Sequence, residues 1–541
     1  MRIEGAPIGA AGEGPGAAES RDRDPPPRHP TEARVGDLGD PRGRWLLPAL
    51  SGATLVFFLA TAEGYGYFRD ELYYLANARH LGWGYVDHPP LIGWVAALVR
   101  ATLGESLLAI RAVPALCAAA TVWVVGATAG RLGGGGFAQG LAALAVLAAP
   151  VFLALFSFLS MNALDLLIQA VLWWLAVRLL AGADPRLWLV FGLVAGIGLE
   201  TKIGVLFVGA GLAVGLVAAR RWDLLRSRYL WLGAGLVLLL FAPYVAWNAA
   251  HGWPTVEFMA NARAGKIVEL SPLAFLAEQP LLVGPASGLL AALGVAALLG
   301  LGALRRWRAL GWAFLAILAL LAVSGGKPYY MAPAYPIAFA AGGVGVERWT
   351  SGKRLLRLAL PVVLVTVGAL LAPLAKPLLP VETFVAYASR LGIVPSSGER
   401  HELAELPQFF ADMHGWPQFA ADVAAVHRTL SPGERAAACV FAQNYGQAGA
   451  VDLFGPELGL PRAISGHNSY WLWGPQGCTG EVLLVIGGDP ADLARLFARH
   501  EARGRTTCEL CMPYERDRTI WVAWGLEAPL EEAWPAVKHY D

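Results

Sequence analysis

From Trp45 to about residue 375 the chain is a succession of apolar runs separated by short polar breaks. Eleven of these runs read as membrane-spanning helices, at about 45–62, 109–129, 137–157, 163–181, 187–201, 203–219, 229–249, 283–304, 309–324, 332–347 and 355–375. Several lie near the lower length limit for a helix crossing about 30 Å of hydrocarbon. The segment His88–Leu103 is apolar enough to be a twelfth, but it opens on Pro89-Pro90 and stops short of Glu105. On either side the pattern changes. Residues 1–43 are rich in Gly, Pro, Arg and Asp without apolar periodicity, which predicts a disordered cytoplasmic tail. Residues 378–541 carry spaced charges and read as a separate folded domain.

The basic residues fix the orientation. With eleven spans and a cytoplasmic N-terminus, the inner loops carry Arg42 and Arg44, Arg131, Arg178 and Arg186, the Arg220–Arg228 cluster, Arg305, Arg306 and Arg308, and Arg348 to Arg357. Outer loops carry only scattered cations, so the pattern is positive-inside. A twelfth span would place those clusters outside. Residues 63–108 are therefore expected to form one long outer loop, with His88–Leu103 lying on or dipping into the membrane. Residues 44–377 then form the membrane domain, and 378–541 an extracytoplasmic domain.

Composition agrees with a bilayer protein. Hydrophobic residues make up 56% of the 541 residues and charged residues only 15%. The mean hydropathy is +0.49. The net charge of +1 implies no polyanionic partner, which excludes a nucleic-acid binder. The first apolar run follows no short basic start, so it reads as an uncleaved anchor.

Polar residues that do not serve as inner anchors gather on the outer side. Asp70 and Glu71 stand at the exit of the first span, and Asp87-His88-Pro89-Pro90 follows in the same loop. Asp165 lies at the top of the fourth span, Lys202 between the fifth and sixth, and Lys327-Pro-Tyr329-Tyr330 between the ninth and tenth. Ionisable groups at membrane depth are costly unless they line a cavity, so each is a site candidate. Simpler readings stand beside that one. Asp165 suits a helix cap, Arg111, Lys202 and Lys327 suit headgroup anchors, and His88 with its prolines suits a loop-shaping element.

Taken together, Arg69-Asp70-Glu71, Asp87-His88-Pro89-Pro90, Asn162-Ala-Leu-Asp165, Glu200-Thr-Lys202 and Lys327-Pro-Tyr329-Tyr330 resemble the bacterial branch of glycosyltransferase family 39. That family includes protein O-mannosyltransferases and the aminoarabinose transferase acting on lipid A. The resemblance covers roughly residues 45–375. It implies a polytopic α-helical membrane protein of the GT-C fold, in a bacterial plasma membrane, with a polyprenyl-phosphate sugar donor. It implies Asp70 as the catalytic aspartate, with Glu71 its neighbour and Asp165 the second acidic position. It sets Lys202, Lys327, Tyr329 and Tyr330 near the donor phosphate. No large acceptor-binding insertion stands in the 250–282 loop, so the acceptor stays open among lipid, glycan and protein.

The residues give the same chemistry independently. Sugar transfer to a hydroxyl needs a base for the acceptor proton. It also needs cations or hydrogen-bond donors for the leaving phosphate. Asp70 is the expected base, and Arg69, Arg111, Lys202 and Lys327 form the phosphate-stabilising pool, with Asp87 and His88 shaping the loop or meeting the acceptor. No cofactor is implied outright. A carboxylate pair is also able to bind a divalent cation, so the metal question stays open.

In the C-terminal domain, Trp416–Leu430 and Pro490–His500 read as helices, and Ala437–Ala442, Glu481–Ile486 and Thr519–Trp524 as strands. That is an α/β or α+β pattern. Gly466–Trp473, polar and aromatic, suits sugar contact or packing on the membrane domain. Cys439, Cys478, Cys508 and Cys511 lie where disulfides are allowed, and Cys508-x-x-Cys511 is a weak zinc signal. Two other classes fit the pattern of spans: a multi-pass transporter, and a non-catalytic assembly protein of the cell envelope. Transporters show internal repeats, and no clear repeat is present.

Overall fold

Helices lie over each of the eleven apolar segments in the computed structural model, which describes residues 45–395, 397 and 399–541. The expected disordered tail, 1–43, and Arg42 and Arg44 fall outside the described residues. Five helices are long and apolar enough to cross a membrane: Leu107–Arg131, Met161–Leu180, Arg228–Ala250, Gly302–Ser324 and Arg354–Ala375. Shorter apolar helices cover Leu46–Ala60, Gly136–Ala148, Leu187–Leu199 and Val205–Ala218.

One expected span is broken, and another begins at a sharp bend after an additional helix. The run 137–157 divides into Gly136–Ala148 and Pro150–Leu155, because Pro150 supplies no N–H and forces Ala149 out of helical geometry. The helix Pro285–Gly300 is preceded by Pro272–Val283 at a bend of 113°. The bend falls at Gly284, whose φ of +75° only glycine adopts without strain.

Small residues let the helices approach closely. The helix Leu187–Leu199 packs on Arg228–Ala250 with Gly192 against Gly233, and a Cβ on either would collide with the facing backbone. This is the packing expected where helices cannot be driven together by water. His88–Leu103, expected on or in the membrane surface, holds the helix Leu91–Thr102. Ile92, Gly93, Ala96 and Val99 face inward and Leu98 is 65% exposed.

Five strands form a mixed sheet: β1 Ala438–Ala442, β2 Ala463–Ser465, β3 Val482–Ile486, β4 Phe497–Arg505 and β5 Thr519–Leu526. The order is β2-β1-β3-β5-β4, with β1 parallel to β2 and β3, and β5 antiparallel to β3 and β4. The central β3 is buried at every position, as its unbroken Val-Leu-Leu-Val-Ile requires. The helix expected over Pro490–His500 ends at Leu496, where β4 begins. Edge pairing with β5 decides this: Phe497 pairs with Leu526, and Arg499, Glu501 and Arg503 then form ion pairs along the exposed edge. Cys439 is bonded to Cys478, and Cys508 to Cys511, so the Cys508-x-x-Cys511 pair is not a zinc ligand pair here.

The sheet domain sits on the first outer loop. The helix Arg69–Asn77 packs against the helix Tyr445–Phe454 through a shared core that includes Leu72, Tyr73, Ala448 and Tyr470. Gly446 and Gly449 make the approach possible, since a Cβ at these positions would strike Arg69 and Leu72.

Candidate active site

The helix Arg69–Asn77 carries two adjacent carboxylates in its first turn, where the helix dipole favours negative charge. Successive helical residues point about 100° apart, and the two have opposite surroundings. Glu71 turns inward and is fully buried. Its oxygens accept from the backbone N–H groups of Phe68 and Leu159, both at 2.8 Å. They also accept from Arg111 Nε at 3.0 Å and Nη2 at 2.8 Å. Arg111 spends its remaining donors on the carbonyls of Ala62, Gly64 and Gly66. The pair closes on itself and ties the start of the outer loop to the helix Leu107–Arg131. Arg111 has no donor aimed at an open space.

Asp70 turns the other way and is half-buried. Its Oδ1 accepts from the Tyr445 hydroxyl at 2.9 Å. Burial raises the Asp70 pKa above the ordinary aspartate value, and the Arg69 charge and the Tyr445 hydrogen bond oppose that rise. Arg69 lies over the Tyr445 ring, 5.0 Å from its centre, and donates to the Tyr514 hydroxyl at 2.6 Å. Its buried Nε has no hydrogen-bond partner among the described residues. The Tyr514 hydroxyl in turn reaches Asp412 at 3.4 Å. Burial pushes the Asp412 carboxyl up to about 6, against the pull of Arg69.

Asp165 stands one turn into the helix Met161–Leu180 and accepts from Gln169 at 2.6 Å. It does not cap that helix; Ser160 is the N-cap residue. Lys202 Nζ donates to Asn162 Oδ1 at 2.6 Å and lies over the rings of Tyr330 and Tyr329, at 4.7 and 5.1 Å. Tyr329 is within electrostatic reach of both Asp70 and Glu399. Lys327 Nζ donates to Glu399 at 3.0 Å.

Asp87 accepts from the Tyr73 hydroxyl at 2.9 Å, and that hydroxyl also meets Ser469 Oγ at 2.6 Å. His88 is buried, with Nδ1 beside the Pro89 carbonyl at 2.8 Å and Nε2 beside the Asn77 amide at 3.0 Å. Those partners assign a proton to Nδ1 and leave Nε2 an acceptor, so the ring is fixed within the loop. Gly466–Trp473 packs on this loop through Ser469, which also accepts from the Val86 N–H at 3.1 Å.

The structure therefore brings Arg69, Asp70, Lys327, Tyr329, Tyr330 and Lys202 into one cluster of charged and aromatic side chains, and pairs Glu71 with Arg111 apart from it. It adds residues with no motif in the sequence. Tyr445 and Tyr514 come from the sheet domain. Lys266, half-buried, comes from the loop between membrane helices; burial and the charges of Arg69 and Lys327 lower its pKa. Lys266 lies between two apolar helices, Arg228–Ala250 and Pro272–Val283, and a cation there is the signal that marks it. Among the described residues, one grouping has the ligand types and spacing for a metal ion: His467, His539 and Asp541. His467 Nδ1 accepts from the Tyr445 N–H at 3.2 Å, so this grouping backs onto the residue that holds Asp70.

Residues 87–247 match the profile of the family described as dolichyl-phosphate-mannose-protein mannosyltransferase. Two solved structures of ArnT from Cupriavidus metallidurans share the fold. One, bound to undecaprenyl phosphate, aligns with a TM-score of 0.60 at 16% identity over 88% of this chain and 97% of that one. The other, in the apo state, aligns with a TM-score of 0.58 at 18% identity over the same shares, 88% and 97%. No curated protein sequence matches the chain. The family resemblance read from the motifs is thus matched by the profile over residues 87–247, and the fold by the two ArnT structures.

Proposed function

We propose that this chain, a membrane protein with the GT-C fold, transfers a sugar from a polyprenyl-phosphate donor to an acceptor hydroxyl on the outer face of a bacterial plasma membrane, with Asp70 as general base. The observation that carries the reading is the contrast between the two neighbouring carboxylates. Glu71 is saturated by Arg111 and backbone donors, whereas Asp70 keeps one oxygen free of any hydrogen bond among the described residues and stands within the influence of Arg69 and Lys266.

In the reaction, the acceptor hydroxyl oxygen attacks the anomeric carbon and its proton passes to the Asp70 carboxylate. The bond from the anomeric carbon to the phosphate oxygen breaks, and the electron pair leaves with the polyprenyl phosphate. Attack opposite the leaving group inverts the anomeric centre. The negative charge gained by the phosphate is met by Lys202, Lys327, Lys266 and Arg69, with Tyr329 and Tyr330 as hydroxyl donors. Pre-placed cations in a site partly shielded from water supply much of the rate enhancement in such transfers. The donor class is supported by the matched family's dolichyl-phosphate chemistry and by the undecaprenyl phosphate held by ArnT. Glu71 and Arg111 are scaffold in this reading, and Asp165 shapes the Lys202 side of the cluster.

The test is transfer by purified protein in lipid nanodiscs. A polyprenyl-phosphate sugar should be consumed and a nucleotide sugar should not. Asp70→Asn should lower the transfer rate by about 10²–10⁴-fold, the usual worth of a positioned base, while donor affinity stays close to that of the wild type. Direct turnover of a nucleotide sugar, or a near-normal rate for Asp70→Asn, would overturn the proposal.

A further inference from the structure

Lys327, one cation of the cluster, is already paired with a carboxylate. Glu399 sits at the edge of the sheet domain, its side chain 13% exposed. One oxygen accepts from Lys327 Nζ at 3.0 Å and the other from Gln408 Nε2 at 2.8 Å, with His401 Nε2 at 3.7 Å. Lys266 and Arg69 act on the same carboxylate from further away. Burial would raise the Glu399 pKa, but Lys266, Lys327 and Arg69 outweigh it and hold the carboxyl down at about 2. A group so placed is an anion at every working pH.

The backbone support is slight. Glu399 reaches the membrane-domain loop through a single antiparallel bridge to Ile267, and Arg400 N–H donates to the Lys266 carbonyl at 3.0 Å. This is one pair of residues, whereas β4 and β5 are joined along their length. The donors on the carboxylate are a lysine and an amide N–H, with an imidazole nearby at 3.7 Å and a second lysine and an arginine behind them. They would satisfy a phosphate oxygen equally well. A sugar phosphodiester carries one negative charge, the same as one carboxylate, so one can replace the other without leaving a cation unpaired.

We propose that the Glu399 carboxylate occupies the position of the donor phosphate and is displaced from Lys327 when the polyprenyl-phosphate donor binds. This rests on the glycosyl-transfer reading above. Glu399 is then an affinity-setting residue: it keeps the lysines paired while no donor is bound and competes with the donor for them. An ordinary supporting residue would do the reverse, because a carboxylate that merely orients Lys327 for the phosphate strengthens binding.

The two roles give opposite signs. The experiment titrates undecaprenyl phosphate into the full-length protein in nanodiscs and records its dissociation constant. Glu399→Gln removes the charge and keeps the shape and the Gln408 contact. It should tighten binding by about tenfold, the equivalent of one charge-assisted hydrogen bond no longer lost on exchange. Gln408→Leu leaves the carboxylate charged but less firmly held, and should tighten binding in the same direction by a smaller factor. Lys327→Ala should weaken it, and adding Glu399→Gln to Lys327→Ala should give back little, since the competitor acts through that lysine. Weaker binding by Glu399→Gln in a protein of unchanged melting temperature would overturn the proposal. So would unchanged binding in all four variants. If wild-type protein fails to turn over any polyprenyl-phosphate sugar, the transfer reading fails instead, whatever the signs of these shifts.

Discussion

Removing the Arg111 guanidinium tells whether the Glu71–Arg111 pair supports the cluster or belongs to it. In Arg111→Met the stem length is kept and the charge is lost. The side chains of Arg111 and Glu71 are 2% and 0% exposed, so water cannot replace the lost partner. Glu71 keeps its two backbone donors, Phe68 and Leu159, but loses both bonds to Arg111, and the carbonyls of Ala62 and Gly66 lose theirs. Leaving one partner of a buried ion pair uncompensated costs about 3–5 kcal/mol. Replacing both partners by apolar residues of similar volume is often close to neutral. The expected pattern is a marked fall in melting temperature and yield for Arg111→Met, a similar fall for Glu71→Leu alone, and recovery of most of the loss in the double variant. A double-mutant cycle on apparent unfolding free energy, with undecaprenyl phosphate binding measured on the folded fraction, reads this directly. A stable Arg111→Met protein whose only defect is weak binding of the phosphate would refute the assignment. It would return Arg111 to the phosphate-binding pool expected from the sequence.

The remaining expectations concern titration, the second acid and orientation. A base must be ionised to act, and burial raises the Asp70 pKa, so kcat/KM should fall with decreasing pH at a value above the ordinary aspartate value of about 3.9. Tyr445→Phe removes the hydroxyl that favours the carboxylate and should move that limb to still higher pH; an unmoved limb would mean that another group titrates. Asp165→Asn should keep measurable transfer with altered donor affinity, since the Asp165 side chain sits with Gln169 on the Lys202 side, and a loss as deep as that of Asp70→Asn would make it the base. A reporter active only in the cytoplasm, fused after Asp541, should be silent, and a signal would contradict the eleven-span topology.

The apolar rhythm made the helices legible, because each helix that faces lipid must be apolar along its length. Where the run 137–157 broke, the cause was also present, in Pro150, but its effect on a span depends on what packs beside it. Asp70 and Glu71 show the limit of reading motifs. The pair marked a candidate site, yet nothing in two adjacent acids tells which one the helix rotates toward Arg111. Tyr445 lies 375 residues from Asp70 and carries no local signal, so only the folded chain joins them. Lys327 was legible as a site cation, but its partner Glu399 was not, for the same reason. The misread helix at Pro490–His500 had the composition of a surface helix, and pairing with β5 overrode it.

The hydroxyl that meets Asp70 belongs to a residue made some 375 positions later in synthesis. The apolar helices, the last of which ends at Ala375, are made before the residues that follow them. Until residues 378–541 have been made and have settled on the helix Arg69–Asn77, Asp70 lacks Tyr445, Arg69 lacks Tyr514 and Lys327 lacks Glu399. A nascent or prematurely terminated chain thus carries an exposed, unassembled centre, and competence for chemistry arrives as the final event of biogenesis. Nonsense and frameshift alleles late in the gene should consequently behave as null alleles even where the membrane helices are inserted intact.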